Sequence, residues 1–110
     1  METDGFIVEV PLGAFVGFLK AARVGKKLGK RNIAREEIEL RLSGQCLLVS
    51  IVGVTHELPA SGRWPRAVRV GLAAMQRLVK IPPTQNPLLL RVQGAKLHIG
   101  TTVFAADIEH

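Results

Sequence analysis

Apolar and polar positions along this chain form short blocks, and the blocks recur in one order. Phe6, Val8 and Val10 alternate with Ile7 and Glu9 across Gly5–Val10, the period of two that marks a strand. Pro11 ends that pairing and suits the first turn of a helix, where its missing N–H costs nothing. From Leu12 to about Val24 the spacing becomes helical. Phe15, Phe18, Leu19 and Ala22 fall on one stripe, with Val16, Lys20, Arg23 and Lys27 on an adjoining face. Gly25 and Gly29 then loosen the helix, and GKKLGKR reads as a basic tail or loop. From Glu36 the period returns to two, with Ile38, Leu40 and Leu42 set against Glu37, Glu39 and Arg41. Ser43-Gly44-Gln45 is a turn, and Leu47, Val49 and Ile51 complete a hairpin. A third run, Val54–Leu58, follows Gly53 and stops at Pro59.

After a linker-like ASGRWP (Ala60–Pro65) the plan returns. Ala67–Val70 predicts a strand and Leu72–Ile81 a helix, ended by Pro82-Pro83. Leu72, Met75, Leu78 and Val79 point to the core, and Ala73, Gln76, Arg77 and Lys80 lie on the other face. Asn86-Pro87 breaks the chain before the strand Leu88–Val92, Gly94 turns it, and Leu97–Gly100 and Val103–Ile108 close it. The two passes share residues as well as pattern. Val8–Lys20, VEVPLGAFVGFLK, matches Val68–Lys80, VRVGLAAMQRLVK, and Ile38–Gly44, IELRLSG, matches Leu88–Gly94, LLLRVQG. The chain therefore reads as an α+β fold built on a duplicated βαβββ unit. Two helices pack on antiparallel sheets in one domain, with repeat one at about 5–60, a linker at 61–65 and repeat two at about 66–110. The repeats differ mainly between helix and second strand: seventeen residues separate Lys20 from Ile38, and seven separate Lys80 from Leu88.

That insertion holds most of the densest basic cluster, which makes charge the next informative feature. The chain of 110 residues has net charge +6 and a pI near 10.3. No acid occurs between Glu9 and Glu36, while Lys20, Arg23, Lys26, Lys27, Lys30 and Arg31 all do. None occurs between Glu57 and Asp107 either, where Arg63, Arg66, Arg69, Arg77, Lys80, Arg91 and Lys96 lie. A basic field of this extent points to a polyanion, nucleic acid before anionic membrane. The apolar content of 47% argues for a folded core. No apolar run approaches the roughly 20 residues of a membrane span, and METDG lacks a signal peptide's basic front. With Cys46 alone no internal disulfide forms, so the expected setting is a reducing, cytoplasmic one.

The doubled βαβββ order, with V-x-V-G-L-A-A-M-Q-R-L-V-K-I-P, the hairpin LLLRVQGAKLHIG and the closing TVFAADI, resembles one domain of the DNA sliding clamps, the bacterial β clamp and the proliferating cell nuclear antigen. The resemblance covers nearly the whole chain and lies in element order and apolar spacing. It implies a non-enzymatic protein of DNA replication or repair whose helices face the phosphates of duplex DNA without reading sequence. The implied DNA-binding residues are Lys20, Arg23 and Lys27 on the first helix and Arg77 and Lys80 on the second, with Lys26, Lys30 and Arg31 extending the charge. Clamp subunits carry two or three such domains and this chain carries one, so a comparable ring implies a homo-oligomer of six copies. The alternative is a protein–protein interaction module that keeps the fold without encircling DNA.

Catalytic chemistry finds no constellation. His56, His98 and His110 lie far apart; His98 is expected to face outward and His56 to be partly buried. One cysteine and no close His or carboxylate pair leave zinc unsupported, and no cofactor is implied. Glu37 and Glu39 beside Arg41 read as a charge-paired strand face, and Gly25–Gly29 lacks the ending of a P-loop. Trp64 is expected to pack on the core. A chain with four Phe, one Trp and no Tyr offers no stacking platform for single strands, which leaves duplex backbone contact as the nucleic-acid mode.

Overall fold

The computed structural model describes residues 6–24, 36–51 and 53–109. Ten strands and three helical segments follow one another among them. In order they are β1 (Ile7–Val10), α1 (Leu12–Val24), β2 (Glu37–Ser43), β3 (Cys46–Ile51), β4 (Val54–Pro59), β5 (Ser61–Gly62), β6 (Ala67–Gly71), α2 (Leu72–Met75), α3 (Arg77–Lys80), β7 (Leu88–Gln93), β8 (Lys96–Ile99), β9 (Thr102–Ala105) and β10 (Asp107–Glu109). The strands form two antiparallel sheets, ordered β5-β1-β7-β8-β9 (sheet A) and β10-β6-β2-β3-β4 (sheet B). The molecule is thus an α+β protein made mostly of strands, with two helical runs, the second broken at Gln76.

Each sheet borrows its second strand from the other half of the chain. Val8 lies opposite Leu90, and Val10 opposite Leu88, in sheet A. Val68 lies opposite Leu40, and Val70 opposite Ile38, in sheet B. The hairpins repeat this correspondence, since Leu40 pairs with Val49 as Leu90 pairs with Ile99. The turn glycines match as well: Gly44 has φ 62° and Gly94 φ 63°, a left-handed conformation that a side chain opposes.

Two of the chain's crossings between the sheets run through a single residue. After β4 the Ala60 N–H donates to the Gln45 carbonyl at 3.0 Å, and the chain passes into β5 of the other sheet. After β9 the Ala106 N–H donates to the Ala95 carbonyl at 3.0 Å, and the chain passes into β10. Two expectations change here. Ser61–Gly62, read as linker, is a strand against β1, and Val103–Ile108, read as one strand, is split at Ala106. A two- or three-residue strand is too short to show a period, so only its partner reveals it.

Alternation puts one face of every long strand into a single core. Val8, Val10, Leu88, Leu90, Leu97, Ile99 and Phe104 of sheet A meet Ile38, Leu40, Leu47, Val49, Val68 and Val70 of sheet B. Phe15, Phe18 and Leu19 from α1 and Leu72, Met75 and Leu78 from the second run fill the remainder. Val16, expected on the polar face of α1, is buried at 9% exposure. The helix packs against both α3 and β4, so its apolar stripe is wider than one row. The N-terminus of α1 is capped from a distance, its Leu12 N–H donating to Asn86 Oδ1 at 3.3 Å. Trp64 packs against the core and donates its Nε1–H to the Leu40 carbonyl at 3.0 Å. Among the described residues no helix is long and apolar enough to cross a membrane.

Candidate nucleic-acid interface

The interface has to be built from what the helices leave outside. Among the described side chains, the exposed positions are Gly13, Gly17, Lys20 and Ala21 on α1, and Ala73, Arg77 and Lys80 on the second run. Neither helical run contains an acid, so every charge they expose is positive. The helices pack against each other, α1 against α3. Gln76 marks the seam: its Nε2 donates to the Leu19 carbonyl at 3.5 Å. Lys20 and Arg77 are the chain neighbours of those two residues, which places both basic positions beside one seam. Gln76 itself, expected on the outer face with Arg77, turns inward, and its Oε1 is buried without a partner among the described residues.

Arg23 lies within α1, where its backbone is helical, but its side chain lies outside the described residues, as do Lys26, Lys27, Lys30 and Arg31 altogether. The structure therefore brings together Lys20, Arg77 and Lys80 of the eight residues expected to contact DNA.

The acids gather elsewhere. The face of sheet B turned away from the core carries Glu37, Glu39, Glu57, Asp107 and Glu109, against Arg41 and Arg69. Register explains the grouping, because Asp107, Arg69 and Glu39 stand in one cross-strand row. Arg69 lies 3.4 Å from Glu39, 3.5 Å from Asp107 and 3.2 Å from Glu109. Glu39 thus pairs with Arg69 of β6 and not with Arg41, its neighbour along the strand. Sequence reading missed this network, because the residues that build it are up to seventy positions apart. The core side of sheet B faces the helices, so its acid-rich side is turned away from the basic one. A polyanion is repelled from one and attracted to the other.

The remaining chemical candidates stay separate. His56 is exposed, not partly buried, and its ring forms a T-shaped pair with Phe18, with centroids 5.0 Å apart at 63°. His98 is half-buried in β8, and Cys46 is half-buried and free at the start of β3. Among the described residues no group of three His, Cys, Asp or Glu side chains is placed to hold a metal ion. Comparison with known proteins supplies no further guide: no family model, no curated protein and no solved structure matches the chain.

Proposed function

We propose that this chain is a clamp-like, non-enzymatic protein that binds the phosphate backbone of duplex DNA through its helices. The observation that carries the reading is the separation of charge: an acid-free helical face presenting Lys20, Arg77 and Lys80, and an acid-rich face on the far side of sheet B. The matched pairing of the two sheets supports the clamp-like part, since a duplicated βαβββ unit accounts for both registers at once. Exposed lysine and arginine on helices give affinity and orientation without base readout, because phosphates are alike in every sequence. Arg23, Lys26, Lys27, Lys30 and Arg31 extend the same surface in this reading.

The test is anisotropy of two labelled duplexes of unrelated sequence, titrated across a range of salt. Equal affinities that fall steeply with salt are expected. Lys20→Glu, Arg77→Glu and Lys80→Glu together are expected to abolish binding with the fold intact by circular dichroism. Unchanged binding by that variant removes the helical face as the site.

A second reading has its own observation. The outer strands β4 and β9 have one side without a strand neighbour among the described residues, and each exposes a valine, Val54 at 54% and Val103 at 50%. Open strand edges recruit other strands, which favours self-association or a protein partner. Light scattering after size exclusion decides it. A hexamer makes a closed ring geometrically available; a monomer at all concentrations leaves an open DNA-binding surface or a module for another protein.

A further inference from the structure

The second helical run ends on a side chain that the fold leaves in solvent. Ile81 is 81% exposed, against 54% for Val54 and 50% for Val103, the next most exposed large apolar residues among those described. It belongs neither to the core nor to the half-buried shell packed on it. Its N–H donates to the Arg77 carbonyl at 2.9 Å, so it stands one helical turn beyond Arg77 and directly after Lys80. Arg77 and Lys80 are themselves exposed, and the apolar tip therefore continues the basic strip. The first pass of the repeat has no such tip. Ala21 holds the position equivalent to Ile81, and α1 runs on to Val24.

The tip is stiffly mounted. Pro82 excludes helical backbone at Ile81, which adopts φ −127° and ψ 79°. Pro83 is half-buried beside the turn at Gly100, where an added Cβ would lie 3.6 Å from the Pro83 Cβ. A preset apolar side chain loses little freedom when a partner covers it. Phosphates give Ile81 nothing to bury against, whereas an opened base step does, because the faces of the bases are apolar. Minor-groove proteins insert wedges of this kind, isoleucine among them. A lipid surface fits less well: one myristoyl chain holds a membrane only marginally, and one isoleucine is a fraction of that chain.

We propose that Ile81 is a wedge that enters a base step already loosened by a mismatch or a bulged base, so that the protein prefers interrupted duplex to intact duplex. The proposal rests on the helical face binding DNA and adds the class of DNA that this face favours. Arg77 and Lys80 hold phosphates beside the step while Ile81 replaces the lost stacking contact. In intact duplex the same insertion first has to unstack a step, and that cost opposes the gain. What is recognised is a defect and not the identity of a base.

The experiment titrates two labelled duplexes of one sequence, one of them carrying a single bulged adenine, with the parent protein, Ile81→Ala and Ile81→Leu. The parent is expected to bind the bulged duplex about tenfold tighter than the intact one. Ile81→Ala is expected to bind both at the parent's affinity for intact duplex, with unchanged thermal stability because Ile81 lies outside the core. Ile81→Leu is expected to keep the preference. Equal binding of both duplexes by the parent overturns the wedge and leaves the helical face as a DNA site. A preference that survives in Ile81→Ala belongs to the flexibility of the bulge and overturns the wedge as well. Binding of neither duplex removes the wedge and the helical face together. Vesicles of phosphatidylserine and phosphatidylcholine are the last arm: binding that Ile81→Ala abolishes would assign the tip to a membrane and overturn the proposal.

Discussion

Gln76 reaches across the helix seam and donates through Nε2 to the carbonyl of Leu19, 3.5 Å away. The other end of the same amide, Oε1, is buried without a partner among the described residues. One weak bond and one unsatisfied acceptor oppose each other in a single side chain. A buried acceptor left unpaired costs about 1–3 kcal/mol, whereas a neutral hydrogen bond contributes about 1 kcal/mol net.

Gln76→Met, similar in shape and without the amide, is therefore expected to be neutral or to stabilise by up to about 1 kcal/mol. Thermal or urea unfolding measures it. A loss above about 2 kcal/mol would show that the bond to Leu19 is what fixes the seam.

If the helical face meets duplex phosphates, each neutral substitution there leaves one phosphate fewer neutralised. Arg77→Ala is expected to reduce the slope of log affinity against log salt by about 0.9, because one fewer counterion-releasing phosphate is engaged. The weakening should be the same on duplexes of different sequence. A sequence-dependent weakening would mean that Arg77 reads base edges.

Gly62 has φ 142°, and a Cβ built there runs into the Ile7 carbonyl oxygen and the Val8 Cα, both backbone atoms. Backbone atoms cannot rotate away as a side chain can, so β5 has to separate from β1. Gly62→Ala is expected to destabilise by about 2–3 kcal/mol, combining steric displacement with a conformation that side chains disfavour. Gly13→Ala is the control: nothing lies within 4 Å of its added Cβ, and a helical Gly→Ala change is expected to stabilise by up to about 1 kcal/mol.

Arg69 is the centre of a network with Glu39, Asp107 and Glu109, and it joins β10 to β6 and β2. Its side chain is 34% exposed, so solvent screens each pair, but three carboxylates share one cation. Arg69→Ala is expected to cost about 1 kcal/mol at low salt. The difference from the parent should shrink as salt rises, because screening weakens the attraction that the substitution removes. A salt-independent cost would assign the effect to packing of the arginine stem.

Asn86 caps α1 from the second half of the chain. Asn86→Ala is expected to cost about 0.5–1 kcal/mol, the low end for removal of a cap at an exposed site. Chemical denaturation with unchanged dependence on denaturant is the check.

Much of the architecture is legible in the residues themselves. The switch from a period of two to a period near 3.6 locates β1, α1, the β2–β3 hairpin, β4, β6 and the β7–β8 hairpin. The paired stretches Val8–Lys20 and Val68–Lys80 correspond to equivalent positions in the two sheets. Local pattern suffices because one buried face imposes it on every long element. It fails for β5 and β10, which are too short to carry a period, and for Val16 and Gln76, whose burial depends on a second helix packing beside them.

Charge divides the same way. The chain determines that its acid-free stretches hold the helices and that Lys20, Arg77 and Lys80 fall on a solvent-facing strip, since helical spacing fixes which residues share a face. Only the tertiary structure decides that Glu39, Asp107 and Glu109 surround Arg69, because strand pairing brings together residues that no local period relates. Likewise, β2 and β7 carry matching sequence patterns, yet only the fold shows that β7 bonds on to Phe6 through Val92 while the β2–β6 ladder ends at Leu40↔Val68. A strand's sequence specifies which residues face the core; where its neighbour stops is decided by the path of the rest of the chain.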